Sequence, residues 1–207
     1  MIEKILFIVG MHRCGTSVLT SYIETLGYDI GKSKCKDKDW QNPNGYWEND
    51  LLAIMHNNMV FFNGFNWSNV NKKRLDYTKD HVEQYCKVIA SEFISSKIVI
   101  KDPRLSFFYD FMIDVSKVLD AQVKVIFATR DKQECVNSLN KAQNLDLKKC
   151  ADLFEITNKC YRGEMLKVNY NDFVKNNDKS KLEICNFLKE KDSGVNVVDT
   201  SLYRNRK

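Results

Sequence analysis

KILFIVGMHRCGTSVLT, Lys4–Thr20, decides how the rest of the chain is read. Lys4 to Val9 is a short apolar run, the pattern of a strand buried on both faces of a parallel sheet. From Thr16 the period changes: Val18, Leu19, Tyr22, Ile23 and Leu26 recur at helical spacing until Gly27 supplies a stop signal. Between strand and helix, Gly10 and Gly15 have the G-x-x-x-x-G spacing of a nucleotide-binding P-loop. The lysine that should follow the second glycine is replaced by Thr16, and Arg13 sits inside the loop instead. A glycine-rich turn feeding a helix presents backbone N–H groups and the positive end of the helix dipole to an anion. Arg13 adds a planar fork suited to phosphate or sulfate oxygens, and Thr16 and Ser17 add hydroxyl donors. The plainer alternative is a tight strand-to-helix turn with incidental polar residues. Strand, loop and helix fall in the order the motif needs, which favours the anion site.

The same alternation continues. Helices are expected from about Asn49 to Phe62 and from about Thr78 to Ser95, with a polar, turn-rich loop over Lys32–Asn44 before them. Lys97–Ile100 reads as a second strand, followed by a helix that turns Phe107, Phe108, Phe111 and Met112 inward. Val123–Ala128 is a third strand and Lys132–Lys141 a helix. Leu145–Tyr161 is amphipathic, Met165–Val168 an edge strand, and Lys179–Lys189 a last helix. Strands and helices in this alternation mean an α/β fold: a three-layer domain around a mostly parallel sheet. Ligands of such sheets bind beyond the C-terminal strand ends. Gly10–Ser17, Lys101–Arg104 and Arg130–Ser138 all fall there.

Composition narrows the function. With 207 residues, 43% hydrophobic and 29% charged, the chain reads as one soluble domain, 1–207. The apolar run Ile5–Gly10 is far too short for a membrane span or a signal-peptide core. Seven cysteines, scattered and without a C-x-x-C pair, fit a reduced, cytoplasmic protein with no metal site. Cys14 has Thr20 rather than arginine six residues on, which excludes a phosphatase loop. The net charge of +5 is spread among nearly as many acids, with no interleaving of basic and aromatic residues. That argues against nucleic acid and for a small polyanionic ligand.

An ATP-using P-loop enzyme also needs a magnesium-holding Asp at the end of another strand. Here the third strand ends Ala128-Thr129-Arg130. A donor that transfers a less charged group than phosphoryl needs less metal, and sulfuryl is such a group. At this point "GMHRCGTS" resembles the 5'-phosphosulfate loop of sulfotransferases that use 3'-phosphoadenosine 5'-phosphosulfate (PAPS). Arg13 stands where cytosolic members carry lysine, as in tyrosylprotein and many bacterial members. In "VIFATRDKQECVNSL", Arg130 and Ser138 have the family's spacing of a strand-end arginine and a helix serine that join on the donor's 3'-phosphate. The alternative is a strand-end arginine paired with Asp131 or Glu134 and an ordinary helix serine. "IKDPRL" (Ile100–Leu105) and "LKVNYNDFVKN" are similar to further bacterial segments, with Asn171 in place of a glutamate. The likeness runs from Ile5 to about Phe187, but the lysine- and glycine-rich segment that covers adenosine in cytosolic members is absent.

The resemblance implies the P-loop-like sulfotransferase fold, PAPS as co-substrate, adenosine 3',5'-bisphosphate as product and no metal. It implies donor contacts from Arg13, Cys14, Gly15, Thr16, Ser17, Arg130 and Ser138. Glycan and tyrosylprotein members use a glutamate downstream of the first helix as base, and Glu48 in "NPNGYWEN" stands in that place. Tyr46 and Trp47 beside it are expected to form an apolar wall that raises its pKa. The alternative is a first-turn glutamate favoured by the helix dipole. His12 is read as a donor contact, His56 as a core or surface residue and His81 as solvated. Lys101 or Arg104 is expected to neutralise the sulfonate or the departing oxygen, with salt-bridge scaffolding as the other reading. Catalysis is thus assigned to Glu48, Arg13 and Lys101. The acceptor, a small molecule or a glycan, is not named by the sequence, nor is the oligomeric state; the loops Lys32–Gly45 and Gly64–Lys73 are expected to line its side. A P-loop kinase of small molecules and a catalytically degenerate nucleotide-binding domain are the rival readings.

Overall fold

In the computed structural model, which describes residues 1–35, 45–175 and 177–198, the opening apolar run forms β1 (Lys4–Gly10). Its residues from Ile5 onward are buried without alternation, so both faces of the strand are covered. β1 pairs in parallel with β2 (Lys97–Lys101) on one side and β3 (Gln122–Thr129) on the other, and β4 (Leu166–Asn169) adds to β3. The sheet is all-parallel, in the order β2-β1-β3-β4. β4 lies at the edge, as expected.

Between β1 and β2 lie α1 (Thr16–Thr25), α2 (Asp50–Phe62) and α3 (Lys79–Glu92). A 3-10 turn (Pro103–Phe107) and α4 (Tyr109–Val118) lead to β3, and α5 (Lys132–Gln143) and α6 (Leu147–Asn158) lead to β4. α7 (Tyr170–Lys175) and α8 (Asn177–Leu188) follow. Tyr22 of α1 meets Phe173 of α7 and Cys185 of α8, forming one helical layer. Phe111 of α4 stacks edge-on against Tyr85 of α3 in another.

The crossover from β1 moves to β2 on one side, whereas β3 connects to β4 on the other. The chain's direction therefore reverses between β1 and β3, and the crevice beyond their C-terminal ends is the switch point where such sheets bind ligands.

Several boundaries differ from the sequence expectation. The helix anticipated after β2 is split, because Asp102 accepts the Arg104 N–H and Pro103 opens a 3-10 turn; Phe107, Phe108, Phe111 and Met112 are buried as expected. α6 begins only after Asp146, which caps it through the N–H groups of Lys148 and Lys149. α7 was not anticipated; the Asn169 side chain accepts the N–H groups of Asn171 and Asp172 and so starts it directly from β4. Of the turn-rich loop expected over Lys32–Asn44, the part after Cys35 lies outside the described residues.

Candidate active site

The loop after β1 turns tightly under β3. Gly10 has φ +132°, and a Cβ there would lie 2.3 Å from the Ala128 carbonyl oxygen, so only glycine lets the two strand ends approach. Arg13 takes a positive φ of 71°. Gly15, at φ +86°, is the N-cap of α1, and a Cβ on it would meet the Tyr170 ring at 2.2 Å. Gly15 brings no side chain of its own to cap α1, whose first turn begins at the C-terminal end of β1, beside the crevice. The Cys14 N–H turns back to the Met11 carbonyl at 3.2 Å, and its buried thiol faces inward, 3.3 Å from the Cys135 sulfur on α5. Burial, and then the neighbouring Cys135 sulfur, raise the Cys14 pKa well above the usual thiol value. Thr16 is buried in the first turn, and the Ser17 hydroxyl donates to the Tyr46 carbonyl at 3.1 Å.

Arg13, Arg130 and Ser138 meet. Arg13 Nε donates to Ser138 Oγ at 3.2 Å, and Arg130 donates from one terminal nitrogen to the Arg13 carbonyl, also at 3.2 Å. The Arg130 Nε donates to Glu134 Oε2 at 3.0 Å, one of the two partners left open by the sequence, and its guanidinium lies 4.7 Å over the Tyr170 ring. Ser138 therefore contacts Arg13, not Arg130, in this structure.

The second cluster comes from β2 and the approach to α2. Lys101 Nζ donates to Glu48 Oε1 at 2.6 Å and to the Tyr46 carbonyl at 2.8 Å. Arg104 reaches Glu48 Oε2 at 3.3 Å and Asn57 Oδ1 at 2.7 Å, and it forks onto both oxygens of Asp102. Against the cost of burial, Asp102 and then Glu48 keep the Arg104 guanidinium firmly protonated. Burial works to raise the Asp102 pKa, but Arg104 and His56 outweigh it and hold the carboxyl well below its usual range. The Tyr46 carbonyl, shared by Ser17 and Lys101, joins this cluster to the loop.

Three expectations change here. The Glu48 carboxylate is met by two cations rather than by an apolar wall, and the Trp47 ring instead faces the Lys34 ammonium at 3.6 Å. Glu48 is not a first-turn residue: Asn49 is the N-cap of α2, and the acid in the first turn is Asp50. His81 is half-buried rather than solvated, exchanging hydrogen bonds with Thr78 as a capping box.

His56 lies in the core, 1% exposed, with Nδ1 2.7 Å from Asp102 Oδ2 and Nε2 2.8 Å from the Tyr85 hydroxyl. His12 stacks on Trp67, ring centroids 4.7 Å apart, which brings the Gly64–Lys73 loop to the P-loop-like turn. Burial, with Arg104, Lys101 and Arg13 nearby, pushes the His12 pKa down to about 3 despite the opposing Asp102. Asp102 and Tyr170 were not singled out as site residues, although both stand in the quoted segments "IKDPRL" and "LKVNYNDFVKN". Among the described residues, no three His, Cys, Asp or Glu side chains converge as a metal site, and no helix is long and apolar enough to cross a membrane.

No family model matches the chain, and no curated protein matches it in sequence. Solved structures do. The sulfotransferase domain of the olefin synthase from Synechococcus PCC 7002 is similar with a TM-score of 0.59 at 15% identity, over 96% of this chain and 78% of that one. Retinol dehydratase in complex with androsterone and inactive cofactor PAP gives a TM-score of 0.44 at 16% identity, over 90% and 60%. Sulfotransferase STF1 from Mycobacterium tuberculosis gives 0.43 at 11%, over 95% and 75%. The chain has the sulfotransferase fold.

Proposed function

We propose that residues 1–207 form one PAPS-dependent sulfotransferase domain that moves a sulfuryl group to a hydroxyl, or an amine, of a small-molecule or glycan acceptor. One observation carries this reading: Arg13, Arg130 and Ser138 converge beside the N-terminus of α1 at the switch point of the sheet. The donor set fits PAPS, because it offers two guanidinium groups, hydroxyls and backbone amides, which bind anionic oxygens. Arg13, Gly15, Thr16 and Ser17 would hold the 5'-phosphosulfate, and Arg130 with Ser138 the 3'-phosphate; Cys14, its N–H turned to Met11 and its thiol to Cys135, would shape the loop instead. The kinase alternative has less support, since Thr16 replaces the loop lysine and Arg130 ends β3.

PAPS supplies an activated sulfuryl group. In the transfer, the acceptor oxygen forms a bond to sulfur while the bond from sulfur to the bridging phosphate oxygen breaks, its electron pair leaving with that oxygen. Glu48 takes the acceptor's proton. Arg13 and Lys101 offset the charge that builds on the departing oxygen, a role suited to preorganised cations in a site shielded from water. The contacts of the Lys101 ammonium with Glu48 and with the Tyr46 carbonyl, which also accepts from Ser17, support this role.

The test is ligand-induced thermal stabilisation. Adenosine 3',5'-bisphosphate should raise the melting temperature more than ATP with magnesium at equal concentration. A larger, magnesium-dependent shift with ATP would replace the sulfotransferase reading with the kinase. Stabilisation by the bisphosphate with no PAPS consumed on any acceptor would mark a degenerate binding domain.

A further inference from the structure

Glu134 and Ser138 stand one helical turn apart on α5, which places their Cβ atoms about 5–6 Å from each other on one face. Both side chains are engaged by the two arginines of the loop and strand end. Ser138 Oγ accepts from Arg13 Nε at 3.2 Å, and Glu134 Oε2 accepts from Arg130 Nε at 3.0 Å. Arg130 is further fixed by its bond to the Arg13 carbonyl and by the Tyr170 ring beneath it. A carboxylate thus stands on the guanidinium, one turn from the serine, where an anion bridging Arg130 and Ser138 would place its own oxygens. To a guanidinium, carboxylate and phosphate oxygens are equivalent acceptors.

We propose that Glu134 sets the affinity of the donor site as an internal counter-ion that the 3'-phosphate of the ligand displaces from Arg130. The proposal rests on Arg130 and Ser138 being the 3'-phosphate pair. Its consequence is a moderated affinity: the 3'-phosphate must displace a carboxylate, so it binds less tightly than it would to Arg130 alone. The hold is releasable. The Glu134 side chain is 27% exposed, and its other contact, from Asn171 Nδ2 to Oε1, is a long 3.3 Å. The Asn171 Oδ1 atom is buried without a hydrogen-bond partner, so no bond on that side anchors the amide.

Calorimetric titration of the purified chain with adenosine 3',5'-bisphosphate and with 5'-AMP, which lacks the 3'-phosphate, tests this. The wild type should prefer the bisphosphate by about tenfold or more, and Arg130→Ala should erase that preference. Glu134→Gln should bind the bisphosphate about three- to tenfold more tightly, with 5'-AMP unchanged. Glu134→Ala gives a second reading, because the glutamine amide can still accept a bond from Arg130; the alanine should tighten bisphosphate binding at least as much. The Arg130 side chain is only 10% exposed, so both variants should melt below the wild type, and the bisphosphate should raise their melting temperatures by more than it raises the wild type's. Bisphosphate affinity that is unchanged or weaker in both variants overturns the proposal and makes Glu134 a residue that merely orients Arg130. A wild type that does not prefer the bisphosphate overturns the donor-site reading itself, and this inference with it.

Discussion

Lys101 Nζ lies 2.6 Å from Glu48 Oε1, with the lysine side chain 3% exposed and the glutamate 20%. The lysine is the last residue of β2, so the sheet fixes its backbone and the ion pair in turn fixes Glu48 beside the P-loop-like turn. Removing one partner of such a pair strands a charge in a poorly solvated place. Lys101→Met should therefore cost about 2–4 kcal/mol. Glu48→Gln keeps a hydrogen bond to the lysine but leaves its ammonium without a counter-charge, and should cost about 1–3 kcal/mol. Urea unfolding measures both; a Lys101→Met protein with the wild-type midpoint would show that the pair does not form in solution. On turnover the order reverses. As the proposed base, Glu48→Gln should lower PAPS consumption about a hundredfold or more while bisphosphate binding stays the same. Wild-type turnover in that variant would remove Glu48 from the mechanism.

His56 is the natural substitute for Glu48 on composition alone, but both of its ring nitrogens are committed, to Asp102 and to Tyr85. Its role is to complete a buried chain that runs through Asp102 to Arg104 and Glu48. His56→Ala leaves the Asp102 carboxylate short of a donor in the core and should destabilise the fold by about 3–5 kcal/mol. Tyr85→Phe removes only the outer hydroxyl, at about 1 kcal/mol. Comparable, small losses in both variants would mean that the chain is not continuous in solution.

How far the sequence could be read depended on the range of the interactions. β1, the glycine loop and α1 were legible because an apolar run, two glycines and a change of period lie in consecutive residues. The strand ends of β2 and β3 were legible for the same reason, and with them the convergence of Arg13, Arg130 and Ser138 on one crevice. α7 was missed because its start depends on the Asn169 side chain rather than on an apolar period. The partner of Arg130 had to be left open between Asp131 and Glu134, since both are neighbours in sequence; Asp131 instead caps α5. Lys101 and Arg104 were legible as crevice cations but not as partners of Glu48, because they arrive from the end of β2 and the 3-10 turn after it, more than fifty residues away.

His12 offers a test by titration. Its pKa is pushed down to about 3 by burial and by Arg104, Lys101 and Arg13. The unfolded chain titrates this imidazole near 6.5. Between those values the unfolded state binds one more proton than the folded state, so stability falls as pH is lowered from about 6.5 toward 3, with a slope of at most about 1.4 kcal/mol per pH unit. His12→Asn should flatten the acid limb relative to the wild type and leave stability above pH 7 little changed in its pH dependence. Denaturant midpoints at a series of pH values compare the two. Parallel curves would mean that the His12 ring is solvated and titrates normally.

Gly15 and Tyr170 form the contact on which the loop closes. Gly15 has φ +86°, and a Cβ on it would overlap the Tyr170 ring at 2.2 Å. Gly15→Ala therefore incurs two separate penalties: about 1–2 kcal/mol for a left-handed alanine, and about 1–3 kcal/mol for the clash. Tyr170→Ala on the Gly15→Ala background should recover the second and not the first. It should also remove the ring under Arg130, so bisphosphate affinity should stay low even where stability returns. Unfolding midpoints and calorimetric titration on the two single variants and the double variant separate these effects. If the Tyr170→Ala change leaves the Gly15→Ala stability loss untouched, the strain lies wholly in the backbone, and the aromatic wedge against the loop has no part in holding it.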